Sequence, residues 1–222
     1  MRKVAISINK GGVGKTTTAK TLASAAVAAG LNALILDIDT QQNATTWGRR
    51  RKKQERPPLP LVYFTTEQDL PDELDRAEKA GCDIAFIDTP PGRSSEAMAA
   101  VEAADLVIIP FWNDQDSYDG VKKTASLASR LGKDAFGLLN FVTPNSKSHE
   151  ETAREVLKGI GLPMAPVVLH RYDLHRLASI KGLAAQEMEP ESNAALEIAA
   201  LWDWLRATLK LRTSASVHKG VA

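Results

Sequence analysis

The chain reads as an α/β fold, a mostly parallel, twisted sheet of about seven or eight strands with helices on both faces. Three observations predict it. Short β-rich runs alternate with longer helical patterns almost throughout the 222 residues, and such alternation demands strand–helix–strand crossovers and parallel pairing. Runs such as ALILDID at 33–39 and LVIIPF at 106–111 are nearly continuous apolar stretches, as strands are when both faces are covered. A glycine-rich turn, SINKGGVGKTTT at 7–18, sits between the first such run and the first helical pattern.

The strands are expected at 3–9, 33–39, 61–65, 84–88, 106–111, 136–142 and 166–169. Helical patterns fall between them at 16–29, 67–80, 94–103, 117–131 and 147–160. Pro190 opens a further helix whose apolar stripe, Ala194, Ile198, Leu201, Trp202, Leu205 and Leu209, recurs at helical spacing and should pack on the body of the protein. Trp204 lies off that stripe, in line with Ala200, Ala207 and Leu211; packing on protein is favoured over a membrane or partner contact. No internal repeat and no Gly-, Ser- or Pro-rich linker divides the chain, so residues 1–212 are expected to form one domain and 213–222 a flexible, polar and basic tail.

Composition narrows the functional classes. Apolar residues make up 44% and charged residues 25% of the chain, the balance of a globular protein. A net charge of +1 gives no global polyanion signal, so nucleic-acid affinity would have to come from local patches. The single cysteine, Cys82, excludes an intramolecular disulfide and a four-cysteine metal site within one chain. There is no leader-like N-terminus and no long uninterrupted apolar stretch, so a soluble cytoplasmic protein without a membrane partner is expected.

The chemistry lies in three segments. In the glycine turn, the phosphate-loop pattern G-x-x-x-x-G-K-[ST] ends in Gly14-Lys15-Thr16, but its first glycine is replaced by Asn9 and followed by a second lysine, Lys10. Gly11, Gly12 and Gly14 let successive N–H groups converge on a phosphate, with Val13 and Thr17 in the same wrap. The helix N-terminus adds positive potential. Lys15 would reach the β- and γ-phosphates and the Thr16 hydroxyl would hold Mg²⁺. The second segment, Leu36-Asp-Ile-Asp39, places two carboxylates at the carboxyl end of the second strand, where open parallel sheets bind ligands. One of them could position a water or assist a metal. In the third, an apolar strand ends in Asp88, the carboxylate expected on the metal side, and Thr89-Pro-Pro-Gly92 follows as a stiff loop suited to sensing a γ-phosphate.

KGGVGKTT with Lys10 and Lys15 together, a D-x-D strand and an apolar-D-T-P-P segment resemble the deviant phosphate-loop ATPases. That superfamily of P-loop NTPase-like proteins includes the ParA-type partition ATPases, the cell-division site-selection ATPases and the nitrogenase iron protein. The resemblance implies ATP and Mg²⁺ as cofactors. It implies that Lys10 crosses a nucleotide-sandwiched homodimer to the partner's phosphates, that Lys15 is the phosphate lysine and Thr16 a metal ligand. It further implies that Asp39 orients the hydrolytic water and stands near the metal with Asp88. Asn140, at the end of the sixth strand, takes the place of the family's adenine-binding asparagine, with a strand-end turn cap as the other reading. No Asn-Lys-x-Asp guanine motif occurs. Two departures stand out: Thr40 follows D-x-D where the family has proline, and Phe111-Trp-Asn-Asp114 is more polar than usual after Pro110.

Within the superfamily, the iron-protein reading fails on cysteine count, and the tail after Leu211 is too polar for an amphipathic membrane anchor. The small ParA type, without an N-terminal helix-turn-helix domain, fits best. It implies slow intrinsic ATP hydrolysis, non-specific DNA as a partner of the ATP-bound dimer, nucleoid association in that state, and a centromere-binding adaptor of ParB type. Arg171, Arg176 and Lys181, with Arg206, Lys210 and Arg212 as accessories, are the candidate DNA contacts; a solvated face is the alternative for each. For the cluster Arg49-Arg-Arg-Lys-Lys53, a solvated helix end and a DNA contact remain level. Two further readings share the ATPase core: a membrane- or cargo-positioning ATPase, and an accessory ATPase of DNA transfer or replication.

Overall fold

A computed structural model describes residues 1–53, 59–92, 95–143 and 147–211. The expected tail, Arg212 and most of the proline-rich turn at 56–60 lie outside these. Among the described residues the chain forms β1 (Arg2–Ile6), α1 (Lys15–Ala28), β2 (Ala33–Asp37), α2 (Asn43–Arg51), β3 (Leu61–Phe64), α3 (Leu70–Lys79), β4 (Ile84–Asp88), α4 (Ser95–Ala103), β5 (Leu106–Phe111), α5 (Gln115–Arg130), β6 (Asp134–Leu139), α6 (Lys147–Gly159), α7 (Asp173–Ile180), α8 (Ala185–Met188) and α9 (Asn193–Thr208). The sheet is wholly parallel, in the order β3-β2-β4-β1-β5-β6.

The continuous apolar strands are explained by two cores. Side chains alternate across each strand: Val4, Ile6, Phe86 and Ile108 face the layer holding α1 and α9, while Ala5, Ile87, Val107 and Ile109 face the layer holding α3 to α6. Every one of these positions is buried. The last helix begins at Asn193, capped by the Ser192 hydroxyl, which accepts from the Ala195 N–H at 3.2 Å. Its predicted stripe is buried, and Trp204 packs edge-on against Phe136 with ring centroids 5.1 Å apart.

The strand count is six among the described residues, fewer than the seven or eight expected. The segment expected as a strand at 166–169 lies beside β6 but forms no continuous ladder. Isolated bridges flank it on either side, Gly137 with Met164 and Val142 with His170. The Ala165 N–H donates to the Gly137 carbonyl at 2.8 Å and the Leu169 N–H to the Leu139 carbonyl at 3.0 Å. A step of four residues, from Ala165 to Leu169, thus spans a step of two on β6, from Gly137 to Leu139, and the mismatch interrupts the ladder.

The basic cluster at 49–53 divides. Arg51 is turned inward, its side chain 5% exposed and paired with Glu187. The pair is bidentate, with Nη1 2.7 Å from Oε2, and Arg51 also donates to the carbonyls of Leu59 and Gly182. It pins the end of α2 to α8. Gly182 makes this closeness possible: a Cβ there would stand 2.5 Å from the Arg51 nitrogen, and its φ of +71° suits glycine. Removing one partner of a buried pair strands the other charge. Glu187→Ala should therefore destabilise the fold by about 3 kcal/mol in chemical denaturation, and Arg51→Met combined with Glu187→Leu should recover most of that loss.

Candidate nucleotide-binding site

Strand order brings the three motif segments together. β1 lies beside β4, with Ile6 opposite Asp88, and β2 lies on the other side of β4, with Asp37 opposite Asp88. The glycine turn leaving β1 and the carboxylates ending β2 and β4 therefore share the carboxyl edge of the sheet. The Thr89 hydroxyl donates to the Ile6 carbonyl at 2.9 Å, and the Gly92 N–H donates to the Asn9 carbonyl at 3.2 Å. The Thr89–Gly92 loop thus lies against the start of the phosphate loop.

The loop itself has the form of an anion cradle. Gly12 and Gly14 adopt positive φ, 77° and 90°, which glycine reaches without strain. Gly14 is the N-cap of α1, and no side chain caps that helix, so its first-turn N–H groups face the loop interior. Gly11 and Gly12 are exposed, while Lys15 is buried. Lys15 Nζ donates to the Lys10 carbonyl at 2.9 Å, bending the turn around the ammonium group. Burial lowers the Lys15 pKa, opposed by the charges of Asp88 and Asp39.

Asp88 is the clearest candidate for a metal-side carboxylate. It is fully buried, and neither carboxylate oxygen accepts a hydrogen bond of ordinary geometry among the described residues. Burial, reinforced by the neighbouring Asp37 charge, raises its pKa to about 7, against the pull of the Thr16 hydroxyl, Lys20 and Lys15. A buried acceptor without a donor is costly, and Mg²⁺ held between Asp88 and the Thr16 hydroxyl would remove the deficit. The residues present fit the ion.

The two carboxylates of the D-x-D segment have separate tasks. Asp37 is buried and accepts from the Thr45 N–H at 2.8 Å and its hydroxyl at 2.9 Å, tying β2 to the start of α2. Burial raises its pKa, although the Thr45 and Asp39 hydrogen bonds oppose the rise. Asp39 lies just beyond β2 with Oδ1 accepting from the Gln41 N–H at 2.9 Å. Asn140 is buried over the loop: its Nδ2 donates to the Val13 carbonyl at 2.9 Å, and a Cβ on Gly14 would come within 2.4 Å of that nitrogen. The strand-end asparagine is thus a tie to the phosphate loop, with unused amide capacity on both its atoms.

Lys10 departs from the loop. Its Nζ donates to Asp114 Oδ1 at 2.6 Å and sits 5.5 Å from the Trp112 ring centroid. Asp114 caps α5 by accepting from the Ser117 N–H at 2.8 Å. Burial alone would raise its carboxyl, but the bonds from Lys10 and Ser117 hold it below its ordinary value.

The structure gathers Lys10, Gly11, Gly12, Val13, Gly14, Lys15, Thr16, Thr17, Asp39, Asp88 and Asn140 at one edge. The candidate DNA contacts are elsewhere. Arg171, Arg176 and Lys181 are exposed in and around α7, and Arg176 lies 4.0 Å from Asp173. Arg206 lies in the last turn of α9, 3.4 Å from Asp203, and Lys210 follows the end of that helix. Arg50 Nη1 reaches the Ser179 carbonyl at 3.5 Å, so the exposed part of the 49–53 cluster adjoins α7 and Lys181. Sequence reasoning missed Lys20, which burial brings down to a pKa of about 8 near Asp88, Arg50 and Asp37. Its signal was there: it falls one turn after Thr16 on the same helix. Asp114 was also missed, although Asp114-Gln-Asp-Ser117 is a helix-start pattern.

A family model described as CbiA, the CobQ/CobB/MinD/ParA nucleotide binding domain, matches residues 4–182. A protein named maintenance of carboxysome distribution protein A, from Gloeobacter kilaueensis, is 33% identical over 186 residues, 82% of this chain and 83% of its own. The chromosome-partitioning ATPase Soj of Thermus thermophilus is 32% identical over 163 residues, 62% of this chain and 64% of its own. Among solved structures, the septum site-determining protein MinD of Pyrococcus horikoshii, complexed with Mg-ADP, superposes with a TM-score of 0.75. It is 19% identical, with 94% of this chain and 97% of that one covered; at that identity the likeness concerns the fold.

The raised Asp88 pKa has a signed consequence for the chain free of nucleotide and metal. Between its ordinary value of 3.8 and about 7 the folded chain holds a proton that the unfolded chain has lost, so stability falls as pH rises through this window. Asp88→Asn should melt higher than the wild type at pH 8, by on the order of 5 °C, and the gain should disappear toward pH 4 in thermal melts.

Proposed function

The chain belongs to the CobQ/CobB/MinD/ParA nucleotide-binding family, and from that premise we propose that it is an Mg-ATP-dependent switch ATPase of the partition and positioning type. The observation that carries the proposal is Asp88. A buried carboxylate with no hydrogen bond of ordinary geometry among the described residues, beside the Thr16 hydroxyl and next to a glycine turn, suits a divalent ion that Asp88 and Thr16 would hold. Bound there, Mg²⁺ supplies positive charge to the β- and γ-phosphate oxygens.

The chain's own groups do the rest. Gly11 to Thr17 offer backbone N–H groups to the phosphates, and Lys15 exchanges the Lys10 carbonyl for phosphate oxygens. Asp39, at the edge of the site, accepts a hydrogen bond from the attacking water and sets its direction. Asn140 uses its remaining amide capacity toward the adenine edge. Lys10 extends to the phosphates of a second copy, so that association and nucleotide state become one event. A cation placed there offsets charge developing in the transition state.

Its cargo, on the finer reading, is DNA. The ATP-bound dimer binds DNA without sequence preference through Arg171, Arg176 and Lys181, with Arg206 and Lys210 as accessories, and a ParB-type adaptor stimulates hydrolysis and release. The named relatives include a chromosome-partitioning ATPase, which supports this reading. Similarity to a carboxysome-distribution protein supports a second one, in which the same switch positions a protein assembly.

The switch is tested by sedimentation. The wild type should be monomeric with ADP and dimeric with a non-hydrolysable ATP analogue and Mg²⁺, and Lys10→Ala should remain monomeric in both. The same oligomeric state under all conditions contradicts the proposal. DNA binding should require the ATP analogue and weaken at least about tenfold between 50 and 200 mM salt, as measured by fluorescence anisotropy.

A further inference from the structure

In the single chain the extra lysine of the phosphate loop is already bound. Its ammonium group is 2.6 Å from Asp114 Oδ1 and lies over the Trp112 ring. Its stem runs along α5, where the position of a Cβ on Gly120 would be 3.9 Å from Lys10 Cβ. We infer that Asp114 is a positioning residue that holds Lys10 against its own chain, and that this ion pair must open before Lys10 can serve a second copy. The inference rests on the reading of Lys10 as the bridging cation.

Three features of the geometry support it. Asp114 cannot follow Lys10 outward, because its carboxylate also caps α5 through the Ser117 N–H. Trp112 is fixed as well: its N–H donates to the Ser117 hydroxyl at 3.2 Å, and its ring meets Phe141 edge-on at 6.4 Å. The resting position of Lys10 is therefore built from groups anchored at the start of α5. The pair is also easy to open. Its side chains are 23% and 39% exposed, so water can replace the lost partner on both sides. Asp114 keeps its bond from Ser117 when Lys10 leaves. The buried Arg51–Glu187 pair, at 5% and 18% exposure, has no such freedom, and the contrast separates a latch from a structural tie.

Asp114→Asn tests the inference, because asparagine preserves the shape and caps a helix equally well but lacks the charge. In the nucleotide-free monomer, the Lys10 ammonium resonance in ¹⁵N NMR should shift on this substitution while the melting temperature stays near that of the wild type. With Mg²⁺ and a non-hydrolysable ATP analogue, the dimer of Asp114→Asn should be about fivefold to thirtyfold tighter in sedimentation, because two latches are absent from each dimer. Adding Lys10→Ala should abolish the gain. If Asp114→Asn dimerises as the wild type does, or less tightly, while Lys10→Ala fails to dimerise, the latch is overturned and the switch reading stands. If Lys10→Ala dimerises normally, the switch reading falls and the latch with it.

Discussion

The site depends on the different fates of two lysines in one turn. Lys15 points into the wrap of the phosphate loop, buried and bonded to the carbonyl of Lys10. Lys10 points out of it, to a carboxylate 104 residues further along the chain. On the proposed reading, opposite orientation would let one ammonium group serve the phosphates held by its own chain while the other reaches a second chain. A loop with both lysines turned inward would place two cations beside one triphosphate and leave none for association.

The sheet makes this arrangement possible by concentrating charge where the core can be opened. Asp37 and Asp88 face each other across β2 and β4, deep enough that burial raises the pKa of both. Asp37 is compensated internally by Thr45. Asp88 has no such partner among the described residues. Lys20 offsets part of that charge from the next turn of α1. The carboxyl edge of the sheet thus keeps a buried acceptor without a donor among the described residues, a deficit that a bound cation would relieve.

Legibility in the sequence followed chain distance. The phosphate loop is contiguous, so its residues, its glycine conformations and its strand–turn–helix setting could be read directly; Asp88 was legible because an apolar run ends on it. β4 and β5 matched their expected limits because continuous apolar runs stop sharply at a charge or a turn. What failed depended on partners remote in sequence. The 166–169 segment has no ladder because Ala165 and Leu169 are out of step with their partners Gly137 and Leu139. Arg51 read as part of a basic run, either a solvated helix end or a DNA contact, yet its partner Glu187 lies 136 residues away. The pairing of Lys10 with Asp114 was hidden in the same way, although Asp114 carried a visible helix-start signal. The Asn140 tie to Val13 could not be foreseen either, because it requires the end of β6 to lie over the loop after β1.

A crystal structure of the chain with Mg²⁺ and a non-hydrolysable ATP analogue tests the central claim most directly, through the position of one nitrogen atom. The account predicts two copies face to face, with each Lys10 Nζ about 2.8 Å from a phosphate oxygen held by the other copy and clear of its own Asp114. A nucleotide-loaded monomer with Lys10 still on Asp114, or a dimer in which Lys10 touches no partner phosphate, would contradict it.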